Sequence, residues 1–258
     1  MQFFGMSDVG CLREKNEDNF IQGIKTGDLV ITGVADGMGG HHGGDVASEI
    51  AVSSVRKHFH EQLESEYDNH QKSQEILPKI VKESVEKANQ EILDYKYQKN
   101  EFLYMGTTMT VGAFTRETGT IAHVGDSRAY IINDAVQIMQ LTEDHSYVNQ
   151  LFQQGKISSE KVANHPQKNI LTRALGTGPE INVDIQTLAF PPNSLVMFCT
   201  DGLTDQIQDD EIYQMVVQSK NIESACKRLV QEAKERGGHD NITVTMITNS
   251  ELAGIFKR

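Results

Sequence analysis

The stretch Leu29-Val30-Ile31-Thr32-Gly33-Val34-Ala35-Asp36-Gly37-Met38-Gly39-Gly40 decides how this chain is read. An apolar run short enough for a buried strand delivers a carboxylate straight into a loop with almost no side chains. Such a loop holds a charge at the end of a rigid element and leaves room for another group to approach. The device recurs. Leu195-Val196-Met197-Phe198-Cys199-Thr200 runs into Asp201-Gly202, Thr120 to Val124 stops at Gly125-Asp126-Ser127-Arg128, and Asp240-Asn241 leads in mirror order into Ile242 to Ile247. Four strand ends marked by aspartate point to carboxylates converging on one place. Like charges a few ångströms apart repel strongly unless a cation or a proton intervenes, so convergence implies bound divalent metal.

Outward from that stretch, Phe3 to Val9 reads as a strand and Cys11 to Phe20 as a polar loop with one arginine and three acids. Beyond the glycines, Asp45 is placed to cap a helix whose apolar positions Ala47, Ile50, Ala51, Val55, Phe59 and Leu63 follow a period near 3.6. A second stripe runs from Ile76 to Leu93, with the turn expected over Glu64 to Ser73. Strands are expected at Thr107 to Phe114, Thr120 to Val124, Arg128 to Ile132 and Val136 to Leu141, with gaps so short that antiparallel neighbours follow. Asp144 to Gly155 reads as helical, Val183 to Phe190 and Leu195 to Thr200 as strands, and Asp209 to Gln218 and Ile222 to Arg236 as helices. Meandering strands and paired helices do not follow the strict alternation of a doubly wound parallel sheet. The expectation is an α+β fold, an antiparallel sandwich flanked by helical hairpins, in one domain over residues 1–248, with a short tail at 249–258.

Composition narrows the function. The 258 residues are 38% hydrophobic and 23% charged, enough for one large core. No apolar run approaches the ~20 residues that span a bilayer, and Met1 to Gly10 has neither the basic nor the apolar region of a signal peptide. A cytoplasmic protein is expected. Three scattered cysteines without Cys-x-x-Cys spacing argue against a disulfide framework and structural zinc. A formal charge of −12 disfavours nucleic acid or an anionic membrane as partner.

The glycine loop fails the dinucleotide fingerprint, because His42 stands where the third glycine belongs, and no Gly-Lys-Ser/Thr makes it a P-loop. The alternating acids of a calcium loop are missing as well. Ser127 has no nucleophile elbow around it, and Cys11 lacks the Cys-x5-Arg spacing of a cysteine phosphatase.

Eight motifs in order carry a resemblance. Glu17-Asp18, Ala35-Asp36-Gly37-Met38-Gly39-Gly40-His41, Gly106-Thr107-Thr108, Gly125-Asp126-Ser127-Arg128, Leu141-Thr142-Glu143-Asp144-His145-Ser146, Leu171-Thr172-Arg173-Ala174-Leu175-Gly176, Thr200-Asp201-Gly202-Leu203-Thr204-Asp205 and Asp240-Asn241-Ile242-Thr243 together resemble the type 2C protein phosphatases, the metal-dependent PPM class, in their compact bacterial form. The match spans about Ser7 to Ile247.

The resemblance implies a four-layer α-β-β-α sandwich and a metal-dependent hydrolase of phosphoserine and phosphothreonine in proteins. By carry-over, Asp36 bridges two ions, Asp201 and Asp240 ligate the first, and the Gly37 carbonyl ligates the second. Glu17 and Asp18 hold metal-bound waters, Asp18 within reach of an additional ion, and Asp126 with Asp201 makes a third site. Manganese or magnesium is the implied cofactor, since an all-oxygen shell suits hard cations. Arg13 stands where the family binds phosphate, and Thr107 and Thr108 support the site. Met38 replaces the histidine that eukaryotic relatives carry, so the proton for the leaving group is expected from His41, with His42 or a metal-bound water as alternatives. The segment 145–173 resembles the family's flap, expected to affect substrate choice and the third ion. Phosphoproteins are the implied partners, with a cognate serine/threonine kinase among them. A catalytically silent relative that binds a kinase or phosphoprotein is the alternative, and it predicts a lost ligand position.

Overall fold

The computed structural model describes residues 1–39, 43–66, 73–99, 104–162 and 165–250. Strands β1 (Gln2–Asp8), β2 (Asp18–Thr26) and β3 (Leu29–Met38) precede helices α1 (Gly44–Glu66) and α2 (Ser73–Lys99). A meander follows: β4 (Gly106–Thr107), β5 (Met109–Phe114), β6 (Thr118–Val124), β7 (Arg128–Asn133) and β8 (Gln137–Gln140). Short helices α3 (Tyr147–Gln153) and α4 (Ser159–Val162) lead to β9 (Asp184–Ala189) and β10 (Leu195–Cys199). Helices α5 (Asp201–Thr204), α6 (Asp209–Val217) and α7 (Ile222–Glu235) come before β11 (Ile242–Thr248).

The strands form two antiparallel sheets, one in the order β1-β11-β10-β7-β8 and the other β2-β3-β5-β6-β9, with β4 against β3. Because side chains alternate along a strand, each central strand feeds two layers. From β3, Leu29, Ile31 and Ala35 join α1 and α2 in one core, while Val30 and Val34 face the other sheet. From β10, Leu195, Met197 and Cys199 pack under α6 and α7, while Val196 and Phe198 turn inward. The strands are apolar throughout because both of their faces are covered. The result is the expected α-β-β-α order, with the Phe114 ring tilted against Phe190 at 5.2 Å and edge-on to Phe198 at 6.1 Å between the sheets. That middle layer becomes polar at one end, where β1, β2, the end of β10 and β11 bring Ser7, Asp18, Thr200 and Thr243 together.

Three readings need correction. The Cys11 to Phe20 loop ends early, because β2 begins at Asp18 and pairs with β3. Its alternation is broken by a register shift between Ile21 and Ile24, which hides the period. The short gap between β6 and β7 does not make them neighbours: β6 pairs with β5 and β9, and β7 with β10 and β8. Gly125, at φ +117°, makes that corner, and a Cβ there would meet the Thr108 side chain at 2.5 Å. Asp45 stands in the first turn of α1, one residue beyond its start. Most of the 249–258 tail and the Glu64 to Ser73 turn lie outside the described residues, but Asn249 still donates to Phe190 O at 2.6 Å. Among the described residues no helix is long and apolar enough to cross a membrane.

Candidate metal centre

Asp36 lies on β3 opposite Asp18 of β2, and the alternation that sends Val30 and Val34 between the sheets sends Asp36 to the same side. Its backbone is gripped from the end of β4 and the residue that follows it. The Asp36 N–H donates to Thr108 Oγ1 at 2.8 Å, and its carbonyl accepts the Thr108 N–H and the Thr107 hydroxyl, each at 2.8 Å. Thr108 in turn bonds the Ser127 hydroxyl at 2.7 Å, so Ser127 is a buried strut. Gly37 has no space for a side chain, since a Cβ would meet Gly44 O at 2.1 Å and Glu17 O at 2.5 Å. The first turn of α1 thereby closes directly on the strand end.

Behind Asp36, Asp18 is buried, and its Oδ2 accepts hydroxyls from Thr243 at 2.7 Å and Thr200 at 2.8 Å. Its Oδ1 is buried without a partner, as is Asp201 Oδ1. Buried carboxylate oxygens without donors are costly, and they fit a cation better than any neighbouring protein group.

Asp201 begins α5 one residue after β10, Asp240 is the next-to-last residue of the α7–β11 loop, and Asp126 sits at the β6–β7 corner. These three line one cleft of about 560 Å³ with Arg13, Glu17, Asp36, Gly37, Asn169 and Leu171 among its other walls. Arg13 Nη2 holds Asp240 Oδ2 at 2.7 Å. Burial raises the Asp36 carboxyl well above its ordinary range, and Asp18, Asp201, Asp126 and Asp240 push it the same way. Asp126 is raised by burial, then by Asp201 and Asp144; Asp201 by burial, then by Asp240 and Asp205. Burial also raises Glu17, with Asp45 adding to it. Among the described residues no three of these side chains close into a ready cage, so the cleft is lined with carboxylates that repel one another.

The family profile of protein phosphatase 2C matches residues 13–243. The chain belongs to the protein phosphatase 2C family. The serine/threonine phosphatase stp of Listeria monocytogenes is 35% identical over 241 residues, 93% of each chain. Among solved structures, the serine/threonine phosphatase Stp1 of Staphylococcus aureus superposes with a TM-score of 0.83 at 31% identity, covering 95% of this chain and 93% of that one. The catalytic domain of the phosphatase PstP, solved in complex with two manganese ions, gives 0.79 at 28% identity over 95% and 96%.

Within this phosphatase 2C fold the structure gathers Arg13, Glu17, Asp36, Gly37, Asp126, Asp201 and Asp240 on one cleft and puts Asp18 beneath it. His41 and His42 lie outside the described residues. Asn241 is a residue whose role the motif did not reveal. Its Oδ1 accepts the Glu17 N–H at 2.8 Å and its Nδ2 donates to Val9 O and Lys15 O, each at 3.0 Å, tying the Arg13 loop to the corner that bears Asp240. The all-oxygen donor set and the two unpartnered oxygens of Asp18 and Asp201 fit hard divalent cations.

Proposed function

We propose that in this metal-dependent protein serine/threonine phosphatase Asp36 would serve both of two divalent ions, with Asp201 and Asp240 holding one and the Gly37 carbonyl the other. Membership of the protein phosphatase 2C family makes it a hydrolase of phosphoproteins; the residue roles are our assignment. The observation that carries them is the cleft where Asp36, Asp126, Asp201 and Asp240 meet although 204 positions separate the first and last. When bound, two such ions, manganese or magnesium, would supply a water activated for in-line attack at phosphorus and the positive charge that offsets the phosphoryl oxygens. The protein then needs no nucleophile of its own. Asp126 and Asp201 would hold a third ion, and Glu17 and Asp18 would orient water around the pair.

Arg13 binds the phosphoryl group. A guanidinium has five N–H donors, and the bond to Asp240 uses one nitrogen, which leaves donors for phosphoryl oxygens and sets the leaving-group direction. His41 protonates the departing alkoxide. Residues 1–248 act as one catalytic domain with 145–173 as its flap, the protein works in the cytoplasm, and a serine/threonine kinase whose products it reverses is its proposed partner. A silent relative requires a lost ligand, and Asp18, Asp36, Asp126, Asp201 and Asp240 are all in place.

The test is phosphate release from a phosphothreonine peptide by purified protein. Release that requires added manganese or magnesium supports the assignment. Release that survives exhaustive chelation, or its absence at saturating metal, contradicts it.

A further inference from the structure

His145 stands where the chain leaves the sandwich for the flap, and it holds Gly125 from two sides. Its backbone N–H donates to Gly125 O at 2.7 Å, and the Gly125 N–H donates to its ring Nδ1 at 3.1 Å. A backbone N–H only donates, so Nδ1 carries the lone pair and the ring proton sits on Nε2. That Nε2–H meets Asp184 Oδ2 at 3.1 Å. Arg173, at the far end of the flap, grips Asp184 Oδ1 at 2.6 Å and donates to Asn182 O at 3.1 Å. The two flap ends are also joined directly, Thr172 N–H to His145 O at 2.8 Å and Tyr147 N–H to Ile170 O at 2.8 Å. The imidazole is 3% exposed and lies against His123, ring centroids 4.6 Å apart.

Gly125 needs such a hold. It has no side chain to pack and a left-handed backbone, so only hydrogen bonds fix the peptide that aims Asp126 into the cleft. On the other side of Asp126, Ser127 is fixed by Thr108 and Thr110, at 2.7 Å and 2.9 Å. We propose that His145 is a positioning residue: it sets the Asp126 carboxylate against Asp201 through Gly125, and through Asp184 and Arg173 it makes that setting depend on how the flap is seated. The proposal rests on the reading of Asp126 and Asp201 as a third ion site. Its consequence is that groups with no contact to an ion govern the affinity of the weakest one.

Two substitutions separate the bonds of the ring. His145→Asn keeps an acceptor at the place of Nδ1 and loses the reach to Asp184, while His145→Gln keeps the reach and loses the acceptor for Gly125. Free Mn2+ is titrated by electron paramagnetic resonance against the full chain, beside wild type and Asp126→Ala, with no phosphatase assay involved. The expected wild-type result is two tight ions and one weak ion, the weak one missing in Asp126→Ala. His145→Gln weakens that ion by about 10–100-fold, the range for partners that orient a ligand, and leaves the tight pair unchanged. His145→Asn and Asp184→Ala weaken it by less than His145→Gln does, because the Gly125 bond survives in both. Asp184→Ala also covers the case in which the buried variants are unstable, since its side chain is 44% exposed. Loss of the weak ion in Asp126→Ala with unchanged binding in His145→Gln and Asp184→Ala overturns the role of His145 alone. An unchanged Mn2+ count in Asp126→Ala overturns the third site and the proposal with it.

Discussion

Replacing Asp36 with asparagine should make the metal-free protein more stable and leave it unable to bind the paired ions. The asparagine keeps the shape, offers Asp201 an N–H donor, and removes one charge from a set in which Asp18, Asp201, Asp126 and Asp240 all act against Asp36. Two unit charges ~4 Å apart repel by about 1 kcal/mol in water and about 4 kcal/mol at an effective dielectric of 20. A relief of about 2 kcal/mol is a middle value, and in a protein of this size each kcal/mol moves Tm by about 2–4 °C. The metal-free variant should therefore melt about 4–8 °C above wild type at pH 8. The sign with pH follows from linkage. The folded-state pKa of Asp36 lies above its unfolded value, so the native state favours the protonated form. Wild-type stability is full below about pH 4 and falls as pH rises through the raised value. The advantage of the variant should be largest at pH 8 and vanish near pH 4.5. Added Mn2+ should raise the wild-type Tm at pH 8 and leave the variant almost unchanged, because a ligand held at 100 times its Kd contributes about 2.7 kcal/mol only where the site exists. Scanning calorimetry with and without chelator reads all of this. A metal-free Asp36→Asn protein that melts at or below wild type at pH 8, or gains equally at pH 4.5, refutes the claim that the carboxylates repel one another across one cleft.

Arg13→Ala should lower kcat/KM toward a phosphothreonine peptide by roughly 10–100-fold, the equivalent of about 1.5–3 kcal/mol of charge-assisted bonding, with the count of bound Mn2+ unchanged; an equal loss of metal would place Arg13 in the ligand set instead. Thr243→Val removes one of the two hydroxyls on Asp18 Oδ2 and should cost about 1–3 kcal/mol in a urea titration; no cost would mean that the Thr243 hydroxyl does not hold Asp18. Phe198→Ala, between the sheets and far from the chemistry, should cost about 3–5 kcal/mol while kcat at low temperature stays near wild type.

The aspartates were legible because each is announced by an apolar run and mostly a glycine, and such a signal needs no knowledge of what lies opposite. Asp36, Asp126, Asp201 and Asp240 share a wall of the cleft as that reading implied. What failed were inferences about pairing. The gap at Gly125-Asp126-Ser127 is as short as a hairpin turn, yet it carries the chain from one sheet to the other, and only the left-handed Gly125 hints at it. Strand β2 was lost because its register shift removes the alternation that marks a half-buried strand. Roles that depend on partners far along the chain were also hidden. Asn241 reaches back more than two hundred residues to clamp the Arg13 loop, and His145 meets Asp184 across the whole flap. No local pattern encodes either contact, because each is created by the way the sheets bring distant loops together.

Asp36 is assigned to two divalent ions at once, held with it by acids from opposite ends of the chain. Diffraction from crystals grown with Mn2+, recorded at the manganese absorption edge, tests it directly. Two anomalous peaks ~3.5–4 Å apart are expected, each within ligand distance of an Asp36 carboxylate oxygen, one of them also touching Asp201 and Asp240. A single peak away from Asp36, or manganese bound only at surface carboxylates outside the cleft, would contradict it.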